Sequence, residues 1–201
     1  MSLADDLLEQ AKDLLGLAHP DSDGPDQANV ISRPERRGRP KQAKLRRSIS
    51  TAYYSLFSLL VDEAATAMVG SGNKKKALRG YVTRAIGHQT IRDVCKMFAS
   101  RSSDNRIKTA LDGYGIPDDL VTVARTCHDL QVYRHEADYN FIYSFTKEEA
   151  IDIINQTEEA HKKWETIRDN EATKVFLTAL IVYKNVQKSG TTIRVPQRRS
   201  G

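Results

Sequence analysis

The sequence predicts an all-α protein, a four- to five-helix bundle with flexible basic tails. Three observations carry this. Apolar residues recur at steps of three and four in each long segment between residues 41 and 187. Helix starts are marked by residues that suit the free N–H groups of a first turn, at Ser2, at Pro117-Asp118-Asp119 and at Thr146 with Glu149. No stretch alternates apolar and polar residues for long enough to build a sheet, and no internal repeat is present.

Residues 1–17 hold Leu3, Leu7, Leu8, Ala11, Leu14 and Leu15 at helical spacing behind Ser2. A helix this short needs a partner surface to persist. Residues 18–40 contain Pro20, Pro25, Pro34 and Pro40 among Asp, Gly and Arg, which predicts a mobile basic linker. Residues 41–187 form the helical domain. Its first helix spans 41–69, between Pro40 and Gly70, with Leu45, Ile49, Ala52, Leu56, Leu60, Ala64 and Ala67 on one face. Arg47, Ser50, Tyr54 and Ser58 line up beside that face as a polar stripe.

Residues 75–99 read as two helical pieces. The first carries Leu78, Tyr81, Val82, Ala85 and Ile86 and stops at Gly87-His88. The second is capped by Thr90 and carries Ile91, Val94, Cys95 and Phe98. His88, at the break, fits a surface or capping role better than a chemical one. Residues 100–115 read as a loop. The next helix opens at Pro117, buries Leu120, Val123, Ala124, Cys127 and Leu130, and runs to Tyr139. After a break at 140–145, the capping box Thr146…Glu149 starts a helix with Ala150, Ile153, Ile154, Ala160, Trp164 and Ile167 on one face. The apolar run 175–182 either continues that helix or follows a break near Asp169-Asn170. Residues 188–201 predict a disordered basic tail.

The chain has 201 residues and a net charge of +5, enough for one domain with tails. The basic residues are clumped: Arg33 to Arg47, Lys74 to Lys76, and Arg194 to Arg199. Such clumps attract polyanions, although a solvated face is the plainer reading. No apolar run approaches the roughly 18 residues of a membrane span. Asp5 and Asp6 stand where a secretory leader would be basic. The expectation is a cytoplasmic protein with no membrane association, in which Cys95 and Cys127 are buried thiols.

The densest cluster of reactive side chains is Tyr133-Arg134-His135-Glu136-Ala137-Asp138-Tyr139. Arg134 and Asp138 are four apart and face each other on a helix. His128, Gln131, His135 and Asp138 share one face. Arginine offers a fork of donors that matches a phosphodiester, and histidine exchanges a proton near neutral pH. Together they can hold a backbone phosphate and move the proton of a ribose 2′-hydroxyl without a metal. The plainer reading is an Arg–Asp pair at a helix or dimer interface. His135-Glu136 begins like a zinc-binding His-Glu-x-x-His, but Tyr139 takes the place of the second ligand, so no metal and no cofactor are expected. The loop from Gly70 lacks the spacing that cradles phosphates, and there is no Gly-x-Ser-x-Gly elbow. Tyr53, Tyr54 and Phe57 can stack bases, but their spacing favours core packing.

The run Arg47-Ser48-Ile49-Ser50-Thr51-Ala52-Tyr53-Tyr54-Ser55-Leu56-Phe57 resembles the first long helix of the HEPN (higher eukaryotes and prokaryotes nucleotide-binding) superfamily, with its Ser-x-Ala-Tyr-Tyr-x-x-Phe segment. Arg134-His135-Glu136-Ala137-Asp138-Tyr139 resembles the Arg-x-x-Ala-Asp-Tyr motif of a prokaryotic branch. The resemblance covers about residues 41–168. It implies a HEPN-like bundle that forms a homodimer. In active members, Arg and His motifs of two chains meet in a cleft and cleave RNA without metal. Other members are inert partners of a minimal nucleotidyltransferase in toxin–antitoxin pairs. The nuclease pattern, Arg followed by His five positions on, has Tyr139 here in place of the histidine.

Two expectations follow. In the first, the protein is a metal-independent endoribonuclease or RNA-binding component of a toxin–antitoxin-type system. Arg134, His135, Asp138 and Tyr139 are then catalytic, and Arg47, Ser50, Tyr54 and His128 bind the nucleic acid. In the second, it is a non-catalytic dimeric module for a protein partner, such as a nucleotidyltransferase, or for a nucleotide.

Overall fold

The computed structural model describes residues 2–17, 41–101, 111 and 114–188, with the side chains of 184–188 excepted. The described residues form seven α-helices and no strand. They are α1 (Leu3–Leu15), α2 (Gln42–Val69), α3 (Lys76–Ala85), α4 (His88–Ala99), α5 (Asp118–Tyr139), α6 (Lys147–Ile167) and α7 (Glu171–Lys188), with a 3₁₀ turn at Asn73–Lys75 ahead of α3. The all-helical expectation holds. The linker 18–40, most of the loop 100–115 and the tail from 189 onward lie outside the described residues.

Helix α2 is the central element, packed on by α1, α3, α5, α6 and α7. Its predicted apolar face is buried from Leu45 to Ala64, while Ala67 is exposed. The α5 face (Leu120, Val123, Ala124, Cys127, Leu130) and the α6 face (Ala150, Ile153, Ile154, Ala160, Trp164, Ile167) are buried against it. Cys95 and Cys127 are both buried free thiols, and burial, with the neighbouring Cys127, pushes Cys95 well up from an ordinary thiol.

The short α1 finds the partner it needs on α2 and α6, burying Leu8, Ala11 and Leu15 in the common core. Ser2 caps it in a full capping box with Asp5. It ends at residue 15, two residues earlier than predicted. Gly16 adopts φ 69°, and its N–H and that of Leu17 turn back onto the carbonyls of Asp13 (2.9 Å) and Lys12 (3.0 Å). Gly70, also left-handed at φ 92°, ends α2.

One local expectation is corrected, and the alternative left open for residues 175–182 is decided. Helix α4 begins at His88 with Gly87 as its N-cap, so Thr90 lies inside the first turn, and its buried Oγ1 has no partner. No residue of α3 is fully buried: Leu78 and Tyr81 point to solvent, Val82 is partly buried against the core, and Ile86, just beyond the helix end, is buried in it. The apolar run 175–182 belongs to a separate helix, because Asn170 breaks the chain and its Oδ1 accepts from the Ala172 N–H at 2.8 Å. Phe176, Leu177, Ala179 and Leu180 then pack on the core.

Candidate functional site

The end of α5 lies against the first half of α2, and Arg46 fixes how they meet. Its Nη1 donates to the carbonyls of Glu136 (3.3 Å) and Ala137 (2.8 Å). Its Nη2 donates to the carbonyls of Asn140 (2.9 Å) and Tyr143. A cation is thus seated on the negative end of α5, where the carbonyls after that of Glu136, which also accepts from the Asn140 N–H, lack helical partners. Gln42, one turn earlier, pairs with Phe145 through both backbone groups: Nε2 donates to its carbonyl at 2.6 Å, and Oε1 accepts from its N–H at 3.1 Å. Sequence reasoning placed Arg46 in a basic clump, either a solvated face or an attractor of polyanions. Its donors are instead committed to the α5 terminus.

This fastening brings Arg134, Asp138, Ser50 and Tyr54 together. Arg134 Nε and Asp138 Oδ2 are 2.6 Å apart, as the four-residue spacing predicts. The approach angle is not that of a hydrogen bond, so Nε is paired by charge while its N–H stays unsatisfied. Asp138 Oδ1 accepts from Ser50 Oγ at 2.6 Å. Arg134 Nη2 donates to Tyr54 Oη at 3.3 Å. The guanidinium also lies near two ring faces, 5.8 Å from the centroid of Tyr54 and 5.4 Å from that of Tyr139. Partial burial works against its charge, but Tyr54 and Asp138 outweigh that and hold its pKa above the ordinary arginine value. Arg134 is therefore a permanent cation with a fixed direction.

The other predicted residues sit at the edges of this group. His135 is exposed, with its ring 5.1 Å from that of Tyr139. Arg47 is exposed on the stripe that also carries Ser50 and Tyr54. His128 pairs with its neighbour Asp129 (Nδ1–Oδ1 3.0 Å) rather than with any member of the Arg134 group. Among the described residues no group of three His, Cys, Asp or Glu side chains is placed to hold a metal ion. No described helix is long and apolar enough to cross a membrane.

Sequence reasoning missed the neighbours of Tyr54. Tyr53 and Phe57 surround His88, whose ring lies 4.3 Å from Phe57, 5.7 Å from Tyr53 and 6.0 Å from Tyr54. Tyr53 Oη is 2.6 Å from His88 Nδ1. Tyr53 is otherwise buried, and burial pushes its phenol far above the usual range, so it keeps its proton. No spacing rule links residue 88 to residue 134. The only signal was a histidine at a Gly-marked helix break.

Next to the site, residues 140–145 form a fixed turn. Asn140 Oδ1 accepts from the N–H groups of Ile142 (3.2 Å) and Tyr143 (3.3 Å), and Tyr143 Oη donates to Glu149 (2.8 Å). The turn carries two bare apolar side chains, Phe141 at 85% exposure and Ile142 at 96%.

No family model, curated protein or solved structure matches this chain.

Proposed function

We propose that this protein is a HEPN-like, metal-independent RNA-cleaving protein of a toxin–antitoxin-type system, with its site at Arg134. The observation that carries the reading is the held guanidinium. Asp138 and Tyr54 fix its direction, Ser50 fixes Asp138, and part of the fork remains open to solvent. A phosphodiester meets such a fork with complementary geometry and opposite charge. Tyr54 and Tyr139 beside it offer faces on which bases stack. Asp138 acts on Arg134 and is a positioning residue. Arg47 adds charge along the approach. His135 stands next to the arginine as a proton-exchanging group. The exposed Tyr139, Phe141 and Ile142 border the site and supply an apolar edge for a second copy of the chain.

The test is incubation of the purified protein with end-labelled single-stranded RNA in excess chelator. The reading expects fragments ending in 2′,3′-cyclic phosphate, and none from Arg134→Ala. An intact substrate under all conditions contradicts it.

A second reading, a non-catalytic dimeric module for a protein partner such as a nucleotidyltransferase, is favoured by Phe141 and Ile142. Side chains of that size, almost fully exposed on a turn held by hydrogen bonds of Gln42, Arg46, Asn140, Tyr143 and Glu149, are typical of contact surfaces.

A further inference from the structure

The chain between Glu63 and Asp93 carries no carboxylate side chain, yet it holds Lys74, Lys75, Lys76, Arg79, Arg84 and Arg92. The first five fall on the 3₁₀ turn at Asn73–Lys75 and on α3. Arg79 is used internally: its Nη1 donates to the carbonyls of Gly70 (2.7 Å) and Gly72 (3.1 Å) and ties the loop to the helix. Lys74, Lys75, Lys76 and Arg84 are exposed, and none forms an ion pair among the described residues. Like charges gathered this closely repel one another, and a polyanion relieves that repulsion.

The same surface carries two uncovered apolar side chains, Leu78 at 55% exposure and Tyr81 at 68%. Leu78, Tyr81 and Arg84 follow at steps of three and share one face of the helix. Val82 and, beyond the helix end, Ile86 turn to the core instead. Gly80 stands next to Tyr81, where an added Cβ would meet nothing within 4 Å from the rest of the fold. Packing does not call for glycine there, although glycine weakens a helix interior. The result is bare backbone beside an exposed ring.

We propose that α3 and the turn before it form a docking surface for single-stranded RNA, with Lys74, Lys75, Lys76 and Arg84 on backbone phosphates and the Tyr81 ring against a base. The choice of ligand rests on the RNA reading above, but the surface uses none of the residues grouped at Arg134. A partner here has to match cations and a flat ring together, and a single strand carries phosphates and bases together. A helix that lies on a membrane sets its cations and its apolar residues on opposite faces. In α3 the outward face mixes them, and Val82 is turned inward. Helix α3 ends three residues before His88, whose ring lies 6.0 Å from that of Tyr54, and Tyr54 accepts from Arg134 at 3.3 Å. The start of α4 is therefore the link between this surface and the Arg134 group.

The experiment follows the anisotropy of a labelled single-stranded 2′-O-methyl oligonucleotide, which has no free 2′-hydroxyl and stays whole, titrated with the full chain over a range of salt. The variants are the triple Lys74→Gln, Lys75→Gln, Lys76→Gln, then Tyr81→Ala and Arg134→Ala, with circular dichroism melts as the folding control. Each phosphate contact on a single strand adds about 0.7 to the steepness of log affinity against log salt, so the triple variant should lower it by about 2. Tyr81→Ala should weaken binding by about 5- to 150-fold, the range for losing one base–aromatic stack, and leave the salt dependence unchanged. Wild-type binding by either the triple variant or Tyr81→Ala overturns the docking surface. If both bind like the wild type while Arg134→Ala abolishes cleavage of ordinary RNA, the surface falls and the RNA-cleaving reading stands. If binding falls as expected while the wild type leaves ordinary RNA intact, the surface stands and the cleaving reading falls. A wild type that does not bind the oligonucleotide also overturns the surface, and pelleting with phosphatidylserine vesicles would then mark it as a membrane contact.

Discussion

Ser50 on α2 and Asp138 on α5 share a 2.6 Å hydrogen bond across 88 positions of sequence, and Asp138 passes that constraint to Arg134 through its other oxygen. Ser50→Ala removes the donor but not the ion pair. The expected loss of stability is about 1 kcal/mol, the usual net worth of one such bond. RNA affinity should fall several-fold, because Asp138 can then rotate and carry Arg134 with it. Urea denaturation and filter binding on the same preparation separate the two effects. A stability change with unaltered affinity would remove Ser50 from the site.

Arg46 satisfies carbonyls at the end of α5 and in the turn beyond it. Arg46→Ala leaves those carbonyls to water and should cost about 1–3 kcal/mol. Arg46→Lys should recover little, since an ammonium cannot reach four divergent acceptors as the planar fork does. Trp164, the one tryptophan, is fully buried and reports unfolding by fluorescence. A lysine variant as stable as the wild type would contradict the account of Arg46.

His161 predicts how stability varies with pH. Ser55 Oγ donates to the Ala4 carbonyl at 2.9 Å and lies 2.8 Å from His161 Nε2, so this imidazole helps hold α1 to α2. Burial is the largest influence on it and lowers its pKa, outweighing the attraction of Asp5, Glu165 and Glu158. A lowered histidine pKa means that the unfolded chain binds the proton more tightly than the folded one. Its contribution is complete above the ordinary histidine value. It is lost as pH falls from that value through the folded one, by at most about 1.4 kcal/mol per pH unit. His161→Gln should flatten that part of the profile. Urea midpoints between neutral and mildly acidic pH provide the check, and an identical slope in the variant would rule His161 out as the source.

The exposed turn predicts self-association. Phe141→Ser with Ile142→Ser should weaken a wild-type dimer by at least about tenfold, as loss of a central apolar anchor does. Neither side chain is part of the core. Light scattering across a dilution series measures this, with a thermal melt as the folding control. A wild type that stays monomeric at high concentration would contradict the dimer.

The buried faces were legible because helical periodicity is a local signal, and α2, α5 and α6 packed as their patterns required. Helix α3 was legible only in part: it packs on α2, but only Val82 and, beyond its end, Ile86 turn to the core, while Leu78 and Tyr81 stay exposed. The Arg134–Asp138 pair was legible from a four-residue spacing, and the stripe of Ser50 and Tyr54 from the same rule. That the stripe meets the pair is a tertiary fact that no spacing contains. The contacts of Arg46 and His88 were hidden for the same reason. One reads as surface charge and the other as a helix-end residue until α2, α4 and α5 are assembled.

The most direct test of the central claim compares wild type, Arg134→Ala and Arg134→Lys on one defined single-stranded RNA under single-turnover conditions in chelator. The account predicts cleavage by the wild type and a loss of about 10²- to 10³-fold in Arg134→Ala, the scale for removing a group that stabilises developing charge. Arg134→Lys should recover only a small part, because it restores the charge without the fork. Equal rates in the wild type and Arg134→Ala would contradict the account.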